Sequence, residues 1–286
     1  MAKKEIKHFD IEKIENPEFL KSLSYKELDV LSDDIRDYII DKVSKNGGHL
    51  SANLGTIDAT IALCRNFDFT KDKIVFDVGH QCYSYKILTG RKLDTLRKKD
   101  GISGFQKMSE SPYDHFEAGH SSTSISAVSG MAIARDLKKD HYECVAFIGD
   151  SAIQNGLAFE ALNNVAQSKH KVIIVLNDND MSISQPVGGL SKLFRRLSGS
   201  SFYMKSKNVA RKFFFLTRFG MWLWVKFTKI KNWFKRKVIN LTMFDTLGFD
   251  YIGPIDGHYI RHIDKALKRA KKSPKSVVLH IKTIKG

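Results

Sequence analysis

Leu28, Leu31, Ile35, Ile39 and Val43 recur three and four residues apart, with polar residues between them. That spacing lays one apolar stripe along an α-helix and predicts an amphipathic helix buried on that side. Ser24 and Glu27 mark its start with the spacing of a capping box, in which each side chain takes up a free backbone N–H. Asn46, Gly47 and Gly48 mark its stop. Thr56 to Phe67 reads as a second helix. Four short apolar runs then follow, at Lys73 to Val78, Cys144 to Ile148, Val172 to Leu176 and Ser276 to Thr283. Between the second and third, Leu157, Ala161, Leu162 and Val165 return to helical spacing. Short β-branched runs around a helix predict βαβ connections and buried parallel strands. The expected fold is therefore α/β in three layers, a central parallel sheet with helices on both faces. Residues 89–115 are polar, glycine-dotted and loop-like. Gly119 to Ser122 opens a segment rich in Ser, Ala and Gly (Ser124 to Ala134), read as a helix with small residues at its start. Its unpaired N–H groups suit a ligand, or a serine caps a tightly packed helix; the two are compatible.

Composition changes this picture in one place. The chain has 286 residues, 42% of them apolar, enough for one large α/β domain or two small ones. Cys64, Cys82 and Cys144 lie in apolar surroundings without CxxC spacing and read as core residues of a reducing compartment. The N-terminus has no apolar stretch of signal-peptide length, so the expectation is a cytosolic protein. Of the net charge of +16, fourteen charges fall in residues 191–240, which contain no Asp or Glu. Twelve aromatics share that segment, including Trp222, Trp224 and Trp233. Its apolar runs, Phe213 to Leu216 and Met221 to Val225, are too short and too interrupted by Arg218 and Lys226 to span a bilayer. Three readings remain: an amphipathic segment on an anionic membrane surface, nucleic-acid contact, or a cover packed on a partner subunit or on the body of the fold.

The candidate chemistry lies at the ends of the second and third apolar runs. Ligands of parallel sheets gather beyond the carboxyl ends of the strands. Asp150 follows one run and Asn179 the next, two hard oxygen donors from adjacent strands. With a backbone carbonyl just beyond Asn179, at Met181, they would leave positions on Mg²⁺ for a diphosphate. Asp and Asn also favour turns and caps, but the pair on successive strand ends is more specific than either alone. His49, in a glycine-flanked turn, and His80, after the first strand, each read in isolation as capping or turn residues.

The motifs around these positions carry a resemblance. GGHLSANLG (47–55), FDVGHQCYSYKILTGR (76–91), GHSSTSIS (119–126), AFEALN (158–163), NDNDMSIS (177–184) and FDYIGPIDGH (249–258) together resemble the N-terminal domain of the 1-deoxy-D-xylulose-5-phosphate synthase family, within the transketolase superfamily. The likeness runs from about residue 10 to the last and is weakest over 191–240. It implies a transferase of isoprenoid and thiamine biosynthesis, using thiamine diphosphate and Mg²⁺ to pass a two-carbon unit from pyruvate to glyceraldehyde 3-phosphate. By resemblance, His49 is catalytic, and His80, Gly119, His120, Ser121, Ser151, Ala152 and Asn179 bind the cofactor. Asp150, Asn179 and Met181 hold the metal. Ser151 stands where the family has glycine; its hydroxyl can serve a phosphate oxygen, or its Cβ can crowd the site. The family's basic segment is variable, so the cover is favoured for 191–240, the membrane surface second and nucleic acid last. The resemblance also implies that residues beyond Gly286 complete the site. The expectation is a single diphosphate-binding domain over 1–286 with a basic aromatic insert. A second chain carrying the pyrimidine-binding domain, or a homodimer, would supply the other half. A different split transketolase-like enzyme, a non-catalytic relic and a membrane-surface interaction protein are the alternatives.

Overall fold

The computed structural model describes residues 7–179 and 243–286. Five strands form one sheet: β1 (Lys73–Phe76), β2 (Cys144–Gly149), β3 (Ile173–Asp178), β4 (Asp250–Asp256) and β5 (Val277–Lys282). Their order is β1-β2-β3-β5-β4, and every neighbouring pair is parallel. The α/β expectation and its parallel sheet are borne out. The inner strands β2 and β3 are apolar over most of their length because both faces are covered, whereas the edge strand β4 carries Asp250 and Asp256 and is largely open. Ile74, Phe76, Val145, Phe147, Ile173, Val175, Val277, Leu279 and Ile281 alternate onto one face and share a single core. That core also takes the buried stripe of α1 (Tyr25–Asn46), with α3 (Ile57–Asn66) and α8 (Ile260–Lys272). On the opposite face α5 (Ser124–Lys138) packs against β1 and β2, and α6 (Gly156–Gln167) packs beside α5. Shorter helices are α2 (Leu50–Leu54), α4 (Tyr83–Leu88) and α7 (Met243–Leu247).

α1 follows its pattern: Leu28, Leu31, Ile35, Ile39 and Val43 are all buried, and Ser24 and Glu27 form the capping box reciprocally. The three cysteines are free and buried. Three details differ from the sequence reading. β3 runs two residues further than its apolar stretch, because Asn177 and Asp178 pair with Ile281 and Lys282 of β5. Their side chains find partners there too: Asn177 Oδ1 accepts the Thr283 hydroxyl at 2.6 Å, and Asp178 Oδ2 lies 2.9 Å from His280 Nε2. Leu157 sits in the first turn of α6 and is 52% exposed, so the buried face begins at Ala158. Residues 89–115 are loop, but a firmly held one. Buried Lys86 pairs with Glu110, and Arg91 pairs with Asp114. Among the described residues no helix is long and apolar enough to cross a membrane. The 191–240 segment lies outside the described residues.

Candidate functional site

Every strand points its carboxyl end the same way, so the turns after β1, β2, β3 and β5 share one edge. The turn after β1 is the most constrained. Val78 has φ 62° and Gly79 φ 93°. A β-branched residue in the left-handed region stores strain of about 1–3 kcal/mol and persists only where its surroundings over-determine it. Gly79 is required twice over, because a Cβ there would stand 3.2 Å from both the Gln106 nitrogen and Phe105 Cβ. The turn delivers His80 beside His49, with ring centroids 5.4 Å apart in an edge-on arrangement.

One residue ties the two histidine turns together. Fully buried Asn53, on α2, donates through Nδ2 to the carbonyls of His49 (2.6 Å) and His80 (2.7 Å), and its Oδ1 accepts the Tyr83 N–H at 2.9 Å. The Tyr83 hydroxyl in turn accepts the His49 N–H at 3.2 Å. Phe105 closes the group, its ring 6.0 Å from that of His49. The loop that presents Phe105 is pinned by Glu110, which accepts the Ser103 N–H at 2.6 Å, and by Asp114, which accepts the Lys107 N–H at 2.8 Å. Burial, with His49 and Lys285 nearby, lowers the pKa of His80 to about 4. Its ring is neutral at neutral pH, and its buried Nδ1 has no partner among the described residues. His49 is more exposed; burial and Arg97 lower its pKa as well.

A second group joins the β1 turn to the start of α5. Buried Asp77 accepts the N–H groups of Ser122 (2.8 Å) and Ser124 (3.2 Å) and the Ser124 hydroxyl (2.8 Å). The cap of α5 is therefore a carboxylate from the neighbouring turn. Thr123 occupies the N-cap position and its hydroxyl makes no capping bond, donating instead to the His120 carbonyl at 3.4 Å; this sets aside the serine-cap alternative, and part of the expected free N–H set is spent on Asp77. Ser122, at φ 76°, donates its hydroxyl to the Ala152 carbonyl at 2.9 Å, and Asn155 Nδ2 donates to Ser122 Oγ at 2.7 Å. The loops bearing Ser121 and Ser151–Ala152 are thus joined. Gly119, His120 and Ser121 are exposed beside this junction. Ser151 has φ −73°, an ordinary right-handed value, so the backbone here does not require glycine.

The third group is acidic. Asp150 follows β2, its N–H donating to the Asn177 carbonyl at 3.1 Å. Burial and the neighbouring Asp178 carboxylate raise the Asp150 pKa to about 6. Asn179 follows β3, half-buried; Met181 lies outside the described residues. Lys285, just after β5, adds a minor electrostatic contribution at both His80 and Asp150. Among the described residues no three His, Cys, Asp or Glu side chains gather as a metal site. One carboxylate and one amide can still hold a hard cation when a ligand supplies the remaining oxygens.

A family model described as 1-deoxy-D-xylulose-5-phosphate synthase matches residues 11–283. The chain belongs to this family. The synthase of Macrococcus caseolyticus is 47% identical over 97% of this chain and 44% of its own length. That of Clostridium beijerinckii is 49% identical over 96% of this chain and 45% of its own. The chain thus spans less than half the length of these curated relatives. Among solved structures, a transketolase from Campylobacter jejuni matches with a TM-score of 0.63 at 19% identity, over 91% of this chain and 38% of that one. A transketolase from Leishmania mexicana matches with a TM-score of 0.61 at 16% identity over 91% of this chain and 37% of that one. At such identities the two structures show the fold. The sequence pattern assigns no role to Asn53, Asp77 or Ser122, which lie within the family's motifs, or to Asn155, which lies outside them. Their signal is faint: polar residues whose partners lie about 30 or more positions away.

Proposed function

We propose that this chain binds thiamine diphosphate and Mg²⁺ for transfer of a two-carbon unit from pyruvate to glyceraldehyde 3-phosphate, giving 1-deoxy-D-xylulose 5-phosphate. Membership of the family supports the reaction. The observation that carries the binding assignment is the shared carboxyl edge, where the turn after β1 with its histidine pair and the acidic turn after β2 lie on neighbouring parallel strands. The residues suit the cofactor. A Cβ added at Gly119 or Gly149 would meet nothing within 4 Å, which leaves open space beside the exposed loops. The Asp150 carboxylate is held against a second carboxylate and would be relieved by a cation. The buried, unpartnered Nδ1 of His80 is available to a ligand.

In this reading Asp150, Asn179 and the Met181 carbonyl hold Mg²⁺, and the Gly119–Ser121 and Ser151–Ala152 loops receive the diphosphate. His80 contacts the cofactor as a neutral ring, and His49, edge-on to it, lines the reacting end. When bound, the cofactor supplies the carbon nucleophile and the electron sink that pyruvate decarboxylation needs. The chain's own work is to bind, orient and neutralise charge. Asn53 and the Val78–Gly79 turn fix the histidines, Phe105 excludes water from one side, and Mg²⁺ offsets phosphate charge. The part of the relatives that this sequence does not span provides the rest of the site, brought by a second chain or a second subunit. The test is to purify the chain with its native companions and assay the eluate with pyruvate and glyceraldehyde 3-phosphate. Cofactor-dependent release of carbon dioxide with formation of the pentulose phosphate supports the assignment. An eluate that contains the companions and cofactor but stays inert overturns it.

A further inference from the structure

The turn after β5 is stitched to three separate elements. Thr283 N–H donates to the Asp178 carbonyl at 2.9 Å, and Gly286 N–H to the Ser51 carbonyl on α2 at 3.3 Å. Between them, Ile284 N–H donates to Nε2 of His258 at 2.8 Å. A backbone N–H can only donate, so Nε2 must offer a lone pair and the ring proton must sit on Nδ1. Nδ1 lies 3.2 Å from Oδ2 of Asp58, whose other oxygen accepts the Ser32 hydroxyl at 2.6 Å. Asp58 is buried at the first turn of α3 and is thereby fixed in orientation. Ser32, Asp58, His258 and Ile284 form one continuous chain of hydrogen bonds, with Asp58 accepting from both sides, from α1 through α3 and the β4 turn to the segment that carries Lys285. The Ile284 side chain is 75% exposed, so side-chain packing does little to hold this segment.

We propose that His258 is a positioning residue: with its tautomer set by Asp58, it clamps the Ile284 backbone and so holds the segment bearing Lys285 against α2, beside the histidine group of the candidate site. The clamp itself stands on the hydrogen-bond geometry; that its loss weakens cofactor binding rests on the function proposed above. The histidine half of the site and the segment share α2, since Gly286 bonds to Ser51 two residues after His49. The charged groups acting on His258 are Asp58 from α3, Asp256 from its own turn and Arg36 from α1. Asp29, Asp33 and Arg261 also line the cavity of about 500 Å³ that opens beside it. The hydrogen bond to Asp58 raises the pKa of His258, so the neutral, clamping ring gains as the pH rises. Protonation would place a second donor against the Ile284 N–H and break the contact.

The experiment uses amide hydrogen exchange and cofactor titration at about pH 8, since alkaline conditions favour the neutral ring. His258 borders an open cavity and is only half-buried, so its replacement leaves the core of the sheet intact. His258→Phe fills the place without an acceptor; His258→Gln restores an acceptor oxygen near the position of Nε2. The expected result is that exchange at Ile284 rises about tenfold or more in the Phe variant while exchange in β3 is unchanged, and that Gln recovers most of the protection. The affinity for Mg²⁺ with thiamine diphosphate should fall about three- to tenfold in the Phe variant and recover with Gln. Unchanged exchange at Ile284 in the Phe variant overturns the clamp. Faster exchange with unchanged affinity overturns the positioning role. An unsubstituted chain that binds no thiamine diphosphate, with Ile284 still deprotected in the Phe variant, upholds the clamp and overturns the proposed function instead.

Discussion

His80 and His115 are both neutral rings in apolar surroundings, and burial lowers the pKa of each to about 4. In the unfolded chain each takes up a proton as the pH falls through about 6.5. The folded protein does not follow until the pH nears 4. The unfolded state therefore binds more protons between these values, and stability falls as the pH falls through that window, by up to about 1.4 kcal/mol per pH unit for each ring. His115 separates this effect from the candidate site, because its Nδ1 accepts the Ile74 N–H and its Nε2 is buried without a partner among the described residues. Urea denaturation of the natural chain and of His115→Gln, between about pH 7 and pH 5, should show a shallower loss of stability in the variant. Parallel pH profiles would contradict the assignment. Of the candidate site residues, His49 and His80 stand out by the motifs they sit in and Asp150 by its place after an apolar run. Asn53 does not, since what defines it is contact with His80 and Tyr83, about 30 positions ahead in the chain.

At the level of elements, the edge of the sheet is organised by Asp77, which leaves β1 and caps α5. Asp77→Ala removes three accepted hydrogen bonds at a buried position. The loss in stability should be about 1–2 kcal/mol, as for other caps, with loosening of the Ser122 to Ala152 junction as its local sign. Denaturant midpoints measure the first and amide exchange at Ser122 the second; an unaltered Ser122 amide would show that the junction holds without the carboxylate. The same element shows why some of the fold is readable and some not. α1 carries all its signals within its own residues, a stripe and a capping box, and was recovered in full. The end of β3 was read short because Asn177 and Asp178 look like turn formers; their polarity is satisfied by Thr283 and His280, contributed by the β5 strand and the turn after it. Leu157 shares the helical spacing of Ala161, Leu162 and Val165 yet is exposed, because spacing gives a face but not where the helix first meets its neighbour. α2 has only five residues, too few to show a period.

For the whole molecule, two readings converge on one edge. The parallel sheet collects the turns that bear the family motifs, and those turns place a histidine pair and the acidic group of Asp150 on one edge. The fold was legible because alternating apolar runs separated by helices have few solutions other than a covered parallel sheet. The site was legible to the extent that its ligands sit in short motifs; its scaffolding, Asp77, Asn53 and Asp58, depends on distant contacts. The claim on which the account rests is that this edge binds thiamine diphosphate through Mg²⁺ held by Asp150. Calorimetric titration of the cofactor into the chain, with and without Mg²⁺, tests it most directly, alongside Asp150→Ala. The account predicts saturable binding that needs Mg²⁺ and weakens at least about tenfold in the variant, whose thermal unfolding stays cooperative. Absence of binding to the natural chain, or equal affinity in Asp150→Ala, would contradict it.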